Sequence, residues 1–301
     1  MPEDISHRLV IAISSRALFD LNDSNEIFEK EGIDRYTEYQ IEHENDILEP
    51  GVAFHMVNKL LDINQYGEFV EIILLSRNNA DTSLRIFNSI EHYNLNITRA
   101  AFTNGGNRYK YVKAFGAKLF LSANASDVES ALNAGCAAAT ILPHSNSQSR
   151  DAKLRFAFDG DAVLFSDEAE QVFQRDGIDA FHQSEAKQAH TPLNVGPFGD
   201  FLLALQKVQK HFPLNECPIK TALVTARSAP AHERVIRTLR NWQVRVDEAV
   251  FLGGLNKAEF LDAFGADIFF DDQHQHCHHA AAHVGAAHVP NGIINQPKEA
   301  N

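Results

Sequence analysis

The sequence predicts an α/β protein made of two similar halves, each an open parallel sheet with helices around it and a small helical cap insertion. Three observations predict this. The chain matches itself when slid by about 145 residues, both halves alternate short apolar runs with amphipathic stretches, and the acids, hydroxyl and lysine that punctuate strand ends gather in the second half.

The self-match begins at Ile13–Tyr36 against Phe158–Phe181, without a gap. Within it, Phe28-x-x-x-Gly32-Ile33-Asp34 answers Phe173-x-x-x-Gly177-Ile178-Asp179. Further on, Gly105-Gly106 answers Gly253-Gly254, and Ala114-Phe115-Gly116-Ala117 answers Ala263-Phe264-Gly265-Ala266. Apolar runs also correspond: Val70–Leu75 with Thr221–Val224, and Lys118–Leu121 with Asp267–Phe270. One match is within reach of chance. Several in the same order indicate an internal duplication.

In the second half, strands are expected at Leu154–Phe158, Thr221–Val224, Ala249–Phe251 and Asp267–Phe270, with helices over Ala231–Trp242, Lys257–Phe264 and His274–Val284. Short apolar strands between amphipathic segments are the pattern of a parallel sheet covered on both faces. The halves are expected to span 1–148 and 149–301, joined through the polar stretch His144–Asp151. The region of about 166–218 is longer than a crossover needs, which predicts a helical cap there. The same insertion recurs before Phe69.

Composition bounds the function. The 301 residues are 44% hydrophobic and 22% charged, as expected of a globular chain able to bury two cores. A formal net charge of −13 argues against binding a nucleic-acid backbone, where cationic side chains must replace counterions. Three cysteines with no close pair argue against a disulfide framework and for a reducing compartment. No run approaches the roughly 18 apolar residues of a membrane span, and the apolar run near the N-terminus is too short for a signal sequence. The expected location is the cytoplasm. Homo-oligomerisation is not legible in these residues.

Four elements of the second half converge if its strands are parallel, because their C-terminal ends then share one sheet edge. They are Phe158-Asp159-Gly160-Asp161, Val224-Thr225-Ala226-Arg227, Lys257 after the Gly253-Gly254 turn, and Phe270-Asp271-Asp272. Phosphoryl transfer uses these residue types. One carboxylate attacks phosphorus while a second manages the leaving-group and water protons. Oxygen ligands hold a hard cation, and a hydroxyl and an ammonium take the remaining phosphate charge. A lone Asp-x-Asp is commonly a surface feature; the order of all four elements raises it above that.

The four elements resemble those of the haloacid dehalogenase superfamily of phosphatases. That resemblance implies HAD-like, Rossmannoid halves, with Asp159 as nucleophile, Asp161 as general acid/base and Lys257 as the charge-stabilising lysine. Thr225 would bind phosphate, with Ala226 and Arg227 beside it. Mg²⁺ would be held by Asp159, the Asp161 backbone carbonyl and Asp271, with Asp272 alongside. Arg227 is open between a second phosphate contact and a surface ion pair, and Asp272 between holding the metal through water and orienting Asp271 and Lys257.

Longer segments narrow the resemblance. Ser14–Asp20, Leu74–Asn78, Phe87–Tyr93 and Phe158–Asp167 are similar to the cytosolic 5′-nucleotidase I family, over roughly Val10 to Pro290. This implies hydrolysis of nucleoside 5′-monophosphates, AMP foremost, to nucleoside and phosphate through an aspartyl-phosphate. The alternatives are a phosphatase for another small phosphomonoester, or a nucleotide-binding regulator without turnover.

The first half lacks the acids. Ser14 and Arg16 stand where Asp159 and Asp161 stand, and Ser122 and Ala123 replace Asp271 and Asp272. It is expected to be inert, with a structural role. A sharper reading makes Ser14, Arg16, Ser76, Arg77 and Arg108 a metal-free anion site of regulatory use. The histidines between His274 and His288 raise a zinc reading, but they suit the solvated face of a helix better. Phe165, Phe181 and His182 are candidates to stack on a base, although each position is more often core.

Overall fold

The computed structural model describes residues 4–107, 109–144 and 152–296. The chain divides into two compact units, Met1–Cys136 and Ala137–Asn301. The boundary falls earlier than the linker expected at His144–Asp151. The reason is a strand that the sequence did not reveal: Ala138–Ile141 pairs antiparallel within the second unit. Most of the expected linker, residues 145–151, lies outside the described residues.

The first unit contains β1 (Leu9–Ile13), β2 (Val70–Ser76), β3 (Arg99–Phe102) and β4 (Leu119–Ser122), all parallel, in the order β3-β2-β1-β4. The second contains β5 (Ala138–Ile141), β6 (Leu154–Phe158), β7 (Ile219–Thr225), β8 (Glu248–Phe251), β9 (Ile268–Asp271) and β10 (Ala286–His288). Its order is β8-β7-β6-β9-β10-β5, parallel except for the β10–β5 pair. Four strands thus repeat the arrangement of the first unit, and register repeats too. Ile13 faces Leu74 and Leu121, as Phe158 faces Leu223 and Phe270.

Period-two alternation sets the two faces of β6, which is apolar at every position but Arg155. Phe156 and Phe158 point to one face and stack with Phe270, 6.3 and 5.5 Å between centroids. Phe198 and Phe201 close over them at 4.9–6.5 Å. Ala157 points the other way, into a cluster with Ala222, Val224, Phe269, Leu261 and Phe264. Both faces are buried, and each enclosed phenylalanine contributes about 1.5–3 kcal/mol.

Each unit carries a long helix broken at a glycine: Asn22–Glu42 at Gly32 (φ 86°) and Glu168–Lys187 at Gly177 (φ 82°). Positive φ inside a helix is open to glycine and strained for other residues, which accounts for the repeated Phe-x-x-x-Gly motif. The region 166–218 also contains helix Gly199–Gln209, which supplies Phe201, Leu202 and Leu205 to the buried interior. Only the kinked helix has the largely exposed character expected of a cap.

Candidate active site

Three parallel neighbours, β7, β6 and β9, end side by side. Asp159 follows β6, Thr225 closes β7, and Asp271 closes β9 with Asp272 next. All four side chains are buried. Beyond Asp159 the chain takes an irregular turn over Gly160–Leu164, with Ala162 at φ 59°. A Cβ on Gly160 would sit 3.4 Å from the Thr225 hydroxyl and from the Phe165 ring, so glycine brings the turn close to β7.

Lys257 caps helix Ala258–Phe264 and reaches into the acids. Its Nζ lies 2.9 Å from Asp159 Oδ1 and 2.6 Å from Asp271 Oδ2. Burial opposes the ammonium charge, but Asp159 and Asp271 outweigh it and raise its pKa. Burial likewise pushes the Asp159 carboxyl up to about 7, against the pull of Lys257, and pushes Asp272 up to about 9 with Asp159 and Asp271 adding repulsion. Asp271 goes the other way. Burial would raise it, yet Lys257 and His276, whose Nδ1 is 3.2 Å from Oδ2, hold it at about 2.

Asp161 is gripped by Arg227, whose Nε and Nη2 donate to its two carboxylate oxygens at 2.8 and 2.7 Å. Arg227 is 4% exposed and also pairs with Glu185 of the kinked helix. Glu185, 1% exposed, accepts from Arg234 at 2.7 Å, and Arg234 reaches Glu168 at 2.6 Å. A chain of alternating charges thus runs from the strand-end turn into the kinked helix. The sequence had left Arg227 as a phosphate contact or a surface ion pair; it is a buried ion pair, spent on two carboxylates. Ala226, between it and Thr225, is exposed.

The acids fit a hard cation. Ligand-capable oxygens of Asp159, Asp271 and Asp272 lie within 4.8 Å of one another, and no described residue donates a hydrogen bond to the Asp272 carboxyl. Such an all-oxygen set suits Mg²⁺-like ions rather than thiophilic ones.

The model of the 5′-nucleotidase family matches residues 1–296. The chain belongs to the 5′-nucleotidase family. Among curated members, human cytosolic 5′-nucleotidase 1B is 40% identical over 289 residues, covering 91% of this chain and 47% of the human protein. The chain therefore spans about half the length of that relative. No solved structure matches it. Among the described residues, no helix is long and apolar enough to cross a membrane.

Within this 5′-nucleotidase family chain, sequence reasoning missed the supports of the site. Glu185 and Arg234 were hidden because their partners are distant in sequence. Asn291 Nδ2 donates to the Ala162 carbonyl and Asn295 Nδ2 to the Asp272 carbonyl, both at 2.8 Å. His276 contacts Asp271, and His288 Nε2 lies 2.9 Å from the Asp272 carbonyl oxygen. The only signal for these was a cluster of Asn and His just after the acid pair. His274, His278, His279 and His283 are exposed. Phe165 is core, packed on Trp242, while Phe181 lies under the Arg227 guanidinium at 5.4 Å.

In the first unit, Ser14 and Ser76 are buried at the ends of β1 and β2. Ser76 shares a hydrogen bond with Ser15 at 3.0 Å. Arg77 pairs with Asp127, whose other oxygen accepts from Ser122 at 3.2 Å. Arg16 reaches amide oxygens of Asn25 and Asn22. Arg108 lies outside the described residues.

Proposed function

We propose that the second unit is the catalytic domain of a Mg²⁺-dependent 5′-nucleotidase, and that it hydrolyses nucleoside 5′-monophosphates, AMP foremost, through an aspartyl-phosphate. The observation that carries this reading is the Lys257 ammonium seated between Asp159 and Asp271, beside Thr225 and Asp272 at one strand edge. The cytoplasm is the expected location, in keeping with the word cytosolic in the human relative's name.

Asp159, Asp271, Asp272 and the Asp161 backbone carbonyl would hold the cation, which would offset phosphate charge and keep Asp159 ionised. An Asp159 oxygen attacks phosphorus as the bond to the nucleoside 5′-oxygen breaks, and the departing oxygen takes the proton of Asp161, which enters this step as the carboxylic acid. Water then attacks the phosphorus of the aspartyl-phosphate and gives its proton to Asp161, releasing inorganic phosphate and Asp159. Arg227 fixes the plane of the Asp161 carboxyl, and each of its oxygens keeps a second lone pair for this proton. Lys257 and the Thr225 hydroxyl take the charge of the transferring phosphoryl oxygens.

Phosphate release from a panel of nucleoside monophosphates and sugar phosphates, with Mg²⁺ and with EDTA, tests the reading. Asp159→Asn should keep its fold and lose at least about a thousandfold in kcat, since an amide is a poor nucleophile. Near-normal turnover in that variant sinks the mechanism, and a preference for sugar phosphates replaces the substrate assignment.

A further inference from the structure

The first unit lacks acids at the ends of β1 and β4 but has a pocket there. A cavity of about 390 Å³ opens at the ends of β1, β2 and β4, among Ser14, Arg77 and Ser122. This is the place in the repeated sheet that Asp159, Thr225 and Asp271 occupy in the second unit. The volume suits a small metabolite.

Its lining is specific. The kinked helix supplies Phe28 and Tyr36, edge-to-face at 5.9 Å and 82°. The second unit repeats the pair as Phe173 and Phe181, at 6.4 Å and 80°. Phe28 and Ile33 line the cavity and are 47% and 51% exposed, so both present uncovered apolar surface at it. Tyr36 donates to Asn78 at 3.1 Å, where the second unit sets Phe181 against Arg227.

The charge is reversed as well. Arg16 stands at the position of Asp161, and its hydrogen bonds go to two neutral amide oxygens, at 3.0 and 3.4 Å. It pairs with no carboxylate among the described residues, although the chain carries a net charge of −13. Asp127, the acid in this lining, is already spent on Arg77 and Ser122. Among the described residues, Asp127 is the one carboxylate lining this cavity, and no group of acids that could hold a cation lies here.

We infer that the first unit is a second, cation-independent site that binds a nucleoside monophosphate without cleaving it, phosphate toward Arg16 and base against Phe28 and Tyr36. The ligand class rests on the substrate proposed for the second unit; the location rests on the cavity alone. Phosphate supplies the charge that Arg16 lacks, and a planar base supplies cover for the aromatic pair.

Equilibrium dialysis of the full chain with radiolabelled AMP in EDTA tests this, with inorganic phosphate and adenosine as competitors. One equivalent of AMP should bind, and each competitor alone should be at least about tenfold weaker than AMP. Arg16→Gln should weaken binding at least about tenfold, with Arg16→Lys intermediate, both variants unfolding at wild-type temperatures without ligand. Absence of AMP binding in EDTA overturns the inference, as does binding unchanged in Arg16→Gln. Adenosine binding as tightly as AMP removes the role of Arg16, and phosphate displacing AMP at equal concentration removes that of the aromatic pair. Failure of the wild-type protein to release phosphate with Mg²⁺ would instead strike the catalytic reading, and is measured separately.

Discussion

Arg227 holds both carboxylate oxygens of Asp161 with one guanidinium edge and turns its remaining nitrogen to Glu185 of the kinked helix. One side chain therefore couples the proposed proton donor to the helix over the site. Planar fork geometry makes this a task for arginine, not for any cation.

Arg227→Gln leaves Glu185 buried with only Arg234 to offset it. Breaking a buried pair by removing one partner costs about 3–5 kcal/mol. Chemical denaturation should show a loss of that size, and kcat should fall with it because Asp161 is no longer held. Arg227→Lys keeps the charge and loses the fork, so its stability should lie between the two while its kcat stays low. A lysine variant with wild-type kcat would show that orientation of Asp161 does not matter.

Without a cation, stability should depend on pH through the same acids. Folded Asp159 and Asp272 sit up at about 7 and about 9, against 3.8 for an unperturbed carboxyl. Between about pH 4 and 9 the folded chain binds protons that the unfolded chain has released, so unfolding free energy falls as pH rises. Asp271, held at about 2 by Lys257 and His276, opposes this slope only near pH 4, where its unfolded carboxyl is still partly protonated, and adds none above about pH 5. In EDTA, Tm should drop steadily from pH 5 to 9. Mg²⁺ should raise it by an increment that grows with pH, because the cation competes with those protons. Asp272→Asn should flatten the upper part of the curve. A Tm in EDTA that climbs over this range would contradict the assignment.

The turn after Asp159 and the strands beside it were legible for a physical reason. β6 is buried at every position but Arg155, so Leu154–Phe158 reads as an apolar stretch broken once and followed by an acid. The repeat was legible because Gly32 and Gly177 must both supply positive φ at a helix break. β5 and β10 escaped because they are four and three residues long, rich in alanine, and defined by pairing with distant strands. The Arg227–Glu185 contact escaped likewise: a polar residue on a largely exposed helix carries no local mark of being the one that turns inward.

The segment after β10 should control the turn that follows Asp159. Gly292 has φ 82°, and a Cβ there would come within 2.8 Å of the Ala162 Cβ and 3.2 Å of the Asp167 Cβ. Left-handed backbone costs a residue with a side chain about 1–2 kcal/mol before any clash. Gly292→Ala should therefore lower stability by at least that much and displace the turn, reducing kcat more than it raises KM. A variant that unfolds earlier but turns over normally would show that the segment only braces the fold.

Lys257 offers the sharpest separation of stability from chemistry. Its ammonium neutralises two buried carboxylates, so Lys257→Met should cost about 3–5 kcal/mol in EDTA at pH 8. A divalent cation can take over part of that neutralisation, since it would sit among the same oxygens. Mg²⁺ should then raise the Tm of the variant by more than it raises the wild type. Turnover should not return, because a cation among Asp159, Asp271 and Asp272 would not replace the ammonium proposed to meet the transferring phosphoryl oxygens. Thermal unfolding with and without Mg²⁺, read beside phosphate release, distinguishes the two roles. An equal Mg²⁺ increment in both proteins would mean that Lys257 and the cation do not share these carboxylates.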